Sequence, residues 1–81
     1  MSIATKDDVE QRVRDALVEF GADAGEIGPE ARFEALDVDS LDLVELAQIV
    51  EDDYGVAITT EDLGRIETVG QAVDLIVERA G

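Results

Sequence analysis

The side chain best placed to form a covalent bond in this sequence is the hydroxyl of Ser40, flanked by Asp39 and Leu41 where a long irregular stretch gives way to a helix-periodic one. Such a hydroxyl can accept a group from a transferase, or it can cap a helix. It cannot serve as the nucleophile of a serine triad in its usual form, because the chain has no His to act as general base. There is also no Cys, hence no disulfide and no thiolate of the chain's own, and any thioester chemistry must use an imported thiol. Carboxylates are plentiful, but none is singled out for acid or base work, so no catalytic residue is expected. The cluster Asp37, Asp39 and Asp42 invites a calcium reading. It fails in detail, since an EF-hand beginning at Asp37 needs Gly where Asp42 stands and a bidentate Glu where Gln48 stands. No dedicated metal site is expected, only loose divalent binding as charge relief.

The elements that position Ser40 emerge from periodicity. Val9, Val13, Ala16, Leu17 and Phe20 recur at helical spacing, with Thr5 and Asp8 as a capping-box start and Gly21 as a stop. From Gly21 to Asp39 the pattern breaks; Gly25, Gly28 and Pro29 punctuate a long connection that Ile27, Phe33 and Leu36 are expected to pin to the core. A second helix is expected from Ser40 to Tyr54, with Asp39 as N-cap and Gly55 just past its end. Thr59 and Asp62 form another capping box, opening a short helix that Gly64 limits. The last helix starts at Thr68, boxed by Gln71, and buries Val69, Ala72, Val73 and Ile76. Val56 to Thr60 has strand-like composition, but one short run without a partner makes no sheet. The expected fold is all-α: a small four-helix bundle of three longer helices and one short helix, with a long loop between helices one and two. The chain's 81 residues suffice for one domain, spanning 1–81, and a core this small does not easily enclose a large active site.

Charge narrows the partners. The formal net charge is -15, which excludes nucleic acid and disfavours anionic membrane surfaces. Between Phe33 and Gly64 lie ten acids and no Lys or Arg; all six basic residues fall outside that segment. A surface of this kind is suited to a basic patch on another protein, reached by electrostatic steering. At about 100° per residue, Leu43, Leu46, Ala47, Val50 and Tyr54 fall on the core side of the second helix. Leu41 and Val44 fall outward with Glu45, Gln48, Glu51 and Asp52, an apolar pair ringed by one sign of charge, as in an interface with a small apolar centre. Ser40 lies at the border of the two faces. With Asp39 as the cap its hydroxyl can project outward, where the helix's positive end would favour a phosphodiester. A Ser before an apolar helix is more often the cap itself, and spacing leaves both readings open. No apolar run reaches transmembrane length and the N-terminal residues lack a signal-peptide pattern, so the cytoplasm is the expected location.

The stretch LDVDSLDLVELAQIVEDDYGVAI, Leu36 to Ile58, resembles the phosphopantetheine attachment region of acyl carrier proteins. Asp39-Ser40-Leu41 matches the family's hallmark triplet. It opens an acidic helix, succeeded by Gly-Val-x-Ile, a short acidic helix and Ile66-Glu67-Thr68-Val69-Gly70. The resemblance covers nearly the whole chain and implies a discrete, type II, non-catalytic carrier. Ser40 would accept 4′-phosphopantetheine from coenzyme A through a phosphopantetheinyl transferase, and the arm's thiol would carry an acyl group as a thioester. The family pattern implies that Asp39 and Leu41 aid recognition at the attachment site. It implies a partner face of Leu41, Asp42, Val44, Glu45, Gln48, Glu51, Asp52 and Ile66, with Ile66 close to the arm. The partners implied are acyl-transferring and chain-elongating enzymes with basic docking patches, and the carrier would be a monomer. Type II fatty-acid synthesis is the pathway preferred, with type II polyketide assembly or another specialised acyl or aminoacyl carrier as the alternative. Two positions depart from the pattern: Asp37 stands where the family often has Gly, and Gln48 where it often has Met. An acidic helical interaction module without a prosthetic group has the same surface, so Ser40 alone separates it from the carrier.

Overall fold

A computed structural model describes residues 5–80. Four helices form: α1 (Lys6–Glu19), α2 (Ser40–Tyr54), the short α3 (Thr60–Arg65) and α4 (Val69–Ala80), with a single 3-10 turn at Ala24–Glu26 in the first connection. No strand occurs among the described residues, where the one β-bridge pairs Arg32 with Thr68. No described helix is long and apolar enough to cross a membrane.

Local capping decides where the helices begin. Thr5 accepts from the N–H of Asp8 at 3.2 Å, Thr59 from that of Asp62 at 3.2 Å, and Thr68 from that of Gln71 at 3.2 Å. The Gln71 side chain reaches back to the N–H groups of Thr68 and Glu67 at 3.2 and 2.7 Å. These contacts satisfy first-turn donors that no intrahelical carbonyl can reach. Gly55 ends α2 in the left-handed conformation (φ 69), which costs a residue without a Cβ nothing. Gly64 lies inside α3, which runs one residue further to Arg65.

The core is built by α1 and α4, the most closely packed pair, with α2 packed against α1. Val9, Val13, Ala16 and Leu17 of α1 meet Val69, Ala72, Val73 and Ile76 of α4 and Leu46 and Val50 of α2, all buried. Leu43, Ala47 and Tyr54 share the core side of α2 but are only half-buried, as is Ile49. The long connection is ordered around Ile27, Phe33, Leu36 and Val38, which are buried in the same core.

That connection is also stitched to the residues around the start of α4 by backbone alone. Phe33 N–H donates to Glu67 O at 3.0 Å, Val69 N–H to Ala31 O at 2.9 Å and Gly70 N–H to Pro29 O at 2.9 Å. At Gly70 the approach is so close that a Cβ would stand 2.6 Å from the Pro29 carbonyl oxygen. The atoms it would meet are backbone, not the free end of a flexible side chain. Gly70→Ala is therefore expected to destabilise the fold by about 1–3 kcal/mol, a loss of several degrees in Tm, even though Ala is the better helix former. Thermal denaturation monitored by circular dichroism checks this, and an unchanged or higher Tm would show that the loop yields.

Candidate functional site

The cap of α2 settles which residue is free. Asp39 Oδ1 accepts from the N–H of Asp42 at 2.9 Å, while Asp42 Oδ2 accepts from the N–H of Asp39 at 3.4 Å, a reciprocal box closed by two carboxylates. Ser40 is thus the first helical residue, not the cap. It is exposed, and its hydroxyl has no side-chain or backbone partner among the described residues. The N–H groups of Ser40 and Leu41 belong to the first turn, where no intrahelical acceptor exists, and the box uses neither. A primary alcohol therefore stands at the positive end of a 15-residue helix, beside two N–H donors able to receive an anion.

The segment before the cap is held in an unusual conformation. Asp37 has φ 59, the only positive φ at a described non-glycine residue. This is the position where the family pattern often has Gly. Asp is one of the few other residues that visit the left-handed region at modest cost, so the backbone geometry survives the replacement.

Beside Ser40 opens an apolar groove of about 260 Å³, lined by Leu43 and Val44 of α2 and by Thr60, Leu63 and Gly64 of α3. A second depression of about 290 Å³ lies across Leu43, lined by Val38, Ile66, Arg32, Glu34 and Glu67. Ile66, the half-buried C-cap of α3, lines that neighbouring depression and not the groove that Ser40 enters. Leu41 and Val44 stand 75% and 50% exposed on the outer side of α2, with Glu45, Gln48, Glu51 and Asp52 exposed around them. Gln48 donates to Asp52 Oδ1 at 3.2 Å. Asp42 differs from these neighbours: it is half-buried and its carboxylate is turned to the cap. The face anticipated from the helical projection is thus assembled by α2, with Asp42 at its edge in a structural contact.

Ten acids crowd the central segment in sequence, but two of them turn to bases from outside it. Asp53 pairs with Arg12 of α1, and Asp62 with Arg79 of α4. Neither pair was evident from the chain order. A signal was present for the second, because Arg79 lies three residues beyond Ile76 and so borders the buried stripe of α4. Asp62 is the only buried charged residue among those described. Hydrogen bonds from Arg79, and next the N–H of Thr59, hold its carboxyl well below the usual carboxylate range despite its burial.

A carboxyl whose folded pKa is depressed stabilises the fold fully above its unfolded value near pH 4, and loses that contribution as pH falls toward the folded value. Melting temperature is therefore expected to fall as pH drops below about 4. The acid-side fall should be shallower in Asp62→Asn, and an identical acid limb in both proteins would assign it to other groups.

A small helical bundle with a free serine hydroxyl at a helix start, an adjoining apolar groove and an acidic outer face is the architecture of a carrier domain. Three comparisons agree with that class. The model of the phosphopantetheine attachment site family matches residues 11–76. Acyl carrier proteins from Solidesulfovibrio magneticus and Rubrobacter xylanophilus are 39% and 40% identical over 75 residues, which is 90% of this chain and 96% and 93% of those proteins. The solution structure of the 3,7-dioxo-octyl actinorhodin acyl carrier protein from Streptomyces coelicolor matches with a TM-score of 0.76 at 36% identity, over 96% of this chain and 92% of that one. The chain belongs to the acyl carrier protein family, whose prosthetic group is a covalently attached 4′-phosphopantetheine. It is a carrier rather than a catalyst, and its family works with enzymes of acyl-chain synthesis.

Proposed function

We propose that Ser40 bears the phosphopantetheine arm, installed from coenzyme A by a phosphopantetheinyl transferase, and that the chain carries acyl groups in type II fatty-acid synthesis. The observation that carries this reading is the Asp39–Asp42 capping box, which leaves the adjacent hydroxyl exposed and without a partner. When attached, the arm supplies the thiol that a chain without Cys lacks. The residues present suit the group: the N–H groups of Ser40 and Leu41 can receive its phosphate oxygens, and Leu43, Val44 and Leu63 offer apolar surface to the pantetheine and its acyl cargo. Asp39, whose carboxylate is accessible at the attachment point, aids recognition by the transferase, and Leu41 contributes apolar contact there.

Partner enzymes dock on the outer face of α2. Leu41 and Val44 form an apolar centre within a rim of Glu45, Gln48, Glu51 and Asp52, which suits a basic patch with a small hydrophobic socket. Asp42 stabilises the edge of that face, and Ile66 lies at its α3 side, where a partner bound at the arm can reach it. The chain acts as a single monomeric domain in the cytoplasm.

Incubation with coenzyme A and a broad-specificity transferase is expected to add one phosphopantetheine. An unmodified product under conditions that load a control carrier would favour an acidic adaptor instead. A polyketide role is the second reading, favoured by the likeness to the actinorhodin carrier. The mass of the thioester on holo protein purified from the native host separates the two, a saturated or 3-hydroxy chain supporting fatty-acid synthesis and a polyketo chain the alternative.

A further inference from the structure

Helix α3 is anchored without a fully buried apolar side chain of its own. Leu63 is half-buried, and the buried residue of the helix is Asp62. What grips it is Arg79 in the last turn of α4. Nη2 of Arg79 donates to Asp62 Oδ1 at 2.8 Å, and Nη1 donates both to Asp62 Oδ2 and to the Ala57 carbonyl oxygen at 3.1 Å. Asp62 Oδ2 also accepts from the N–H and the hydroxyl of Thr59 at 3.0 and 2.9 Å. One guanidinium thus holds both the helix and the strand-like segment that leads into it. The same helix supplies Thr60, Leu63 and Gly64 to the groove beside Ser40. That wall is tied by a directional ion pair, and removing Arg79 leaves the buried Asp62 carboxylate without its charged partner.

We propose that Asp62 and Arg79 are positioning residues that set the length of acyl chain this carrier shelters, by holding α3 against α4 and confining a chain attached through Ser40 to the groove between α2 and α3. This rests on the assignment of the arm to Ser40. The groove's volume of about 260 Å³ is open to the surface and accommodates only a short aliphatic chain. Deepening the groove for a longer chain requires displacing α3, which breaks the paired hydrogen bonds of the clamp. The excess length stays exposed and accessible to partner enzymes.

The test compares wild type, Arg79→Gln and Arg79→Lys, each loaded from acyl-coenzyme A with straight chains from acetyl to dodecanoyl. The gain in Tm over the unloaded protein is read for each chain. Wild type is expected to level off at a middle length, while Arg79→Gln starts lower and keeps gaining through dodecanoyl. Arg79→Lys, which keeps the charge but loses the fork, should fall between them. In the unloaded proteins, hydrogen exchange at the amides of Leu63 and Ile66 should quicken about ten-fold or more in Arg79→Gln, with those of Val13 and Val73 unchanged. If Arg79→Gln does not fold, Arg79→Lys and Asp62→Asn carry the same comparison. Parallel chain-length profiles in fully loaded proteins, or unchanged exchange in α3, would overturn the clamp. Failure of every protein to load would instead refute the Ser40 assignment, and the chain-length role with it.

Discussion

Ser40→Ala is expected to abolish acceptance of the phosphopantetheine arm while leaving the fold intact. The two halves of that result come from separate parts of the geometry. The hydroxyl is exposed and makes no contact that stabilises the helix, so its removal should change stability by no more than about 0.5 kcal/mol, the usual range for surface positions. The cap belongs to Asp39, whose replacement by Ala should cost about 1 kcal/mol by freeing the N–H of Asp42. The pair of variants therefore dissociates function from stability. Intact-mass spectrometry after transferase treatment, with thermal melts of the same samples, reads both. If Ser40→Ala melted several degrees lower and Asp39→Ala did not, Ser40 would be the cap, and its hydroxyl would not be free for modification.

The second large effect concerns the rate at which partners find the carrier. Reversing two exposed charges with Glu45→Lys and Glu51→Lys replaces attraction toward a basic patch by repulsion while leaving Leu41 and Val44 in place. The second-order loading rate of the transferase should fall about ten-fold or more at low salt, within the range that steering by charge supplies. At about 1 M salt, where the Debye length is only about 3 Å, the rates of variant and wild type should converge. The loss is not one of folding. The exchanges relieve self-repulsion in a chain of net charge -15, so the double variant should melt at or above the wild-type temperature. Equal loading rates across the salt series would place the docking surface elsewhere.

Capping chemistry made much of the fold legible. Asp39 and Gly55 bracket α2 at the residues where the helix begins and ends, because a carboxylate cap and a left-handed glycine are both visible as residue types. Thr59 and Thr68 do the same for the starts of α3 and α4. The stitching of the long loop to the residues around the start of α4 was not legible. Three backbone hydrogen bonds hold it, and backbone donors look alike at every residue except where Gly70 must leave room for Pro29. At the candidate site, spacing identified Ser40 and the outward pair Leu41 and Val44, but left open whether Ser40 was cap or acceptor. The answer lay in the Asp39–Asp42 reciprocity, which depends on where Asp42 points its carboxylate. The acidic run also concealed two opposite roles. Glu45, Glu51 and Asp52 face solvent without a basic partner among the described residues, whereas Asp53 and Asp62 pair with arginines of α1 and α4, and only tertiary packing distinguishes them.

Carrier function depends on where the arm attaches. Loading the chain from coenzyme A, then locating the added group by fragmentation mass spectrometry, tests it most directly, because Ser2 and Ser40 are the chain's only serines. The arm is expected on the peptide containing Ser40 at one per chain. Attachment at Ser2, or none under conditions that load a control carrier, would contradict it.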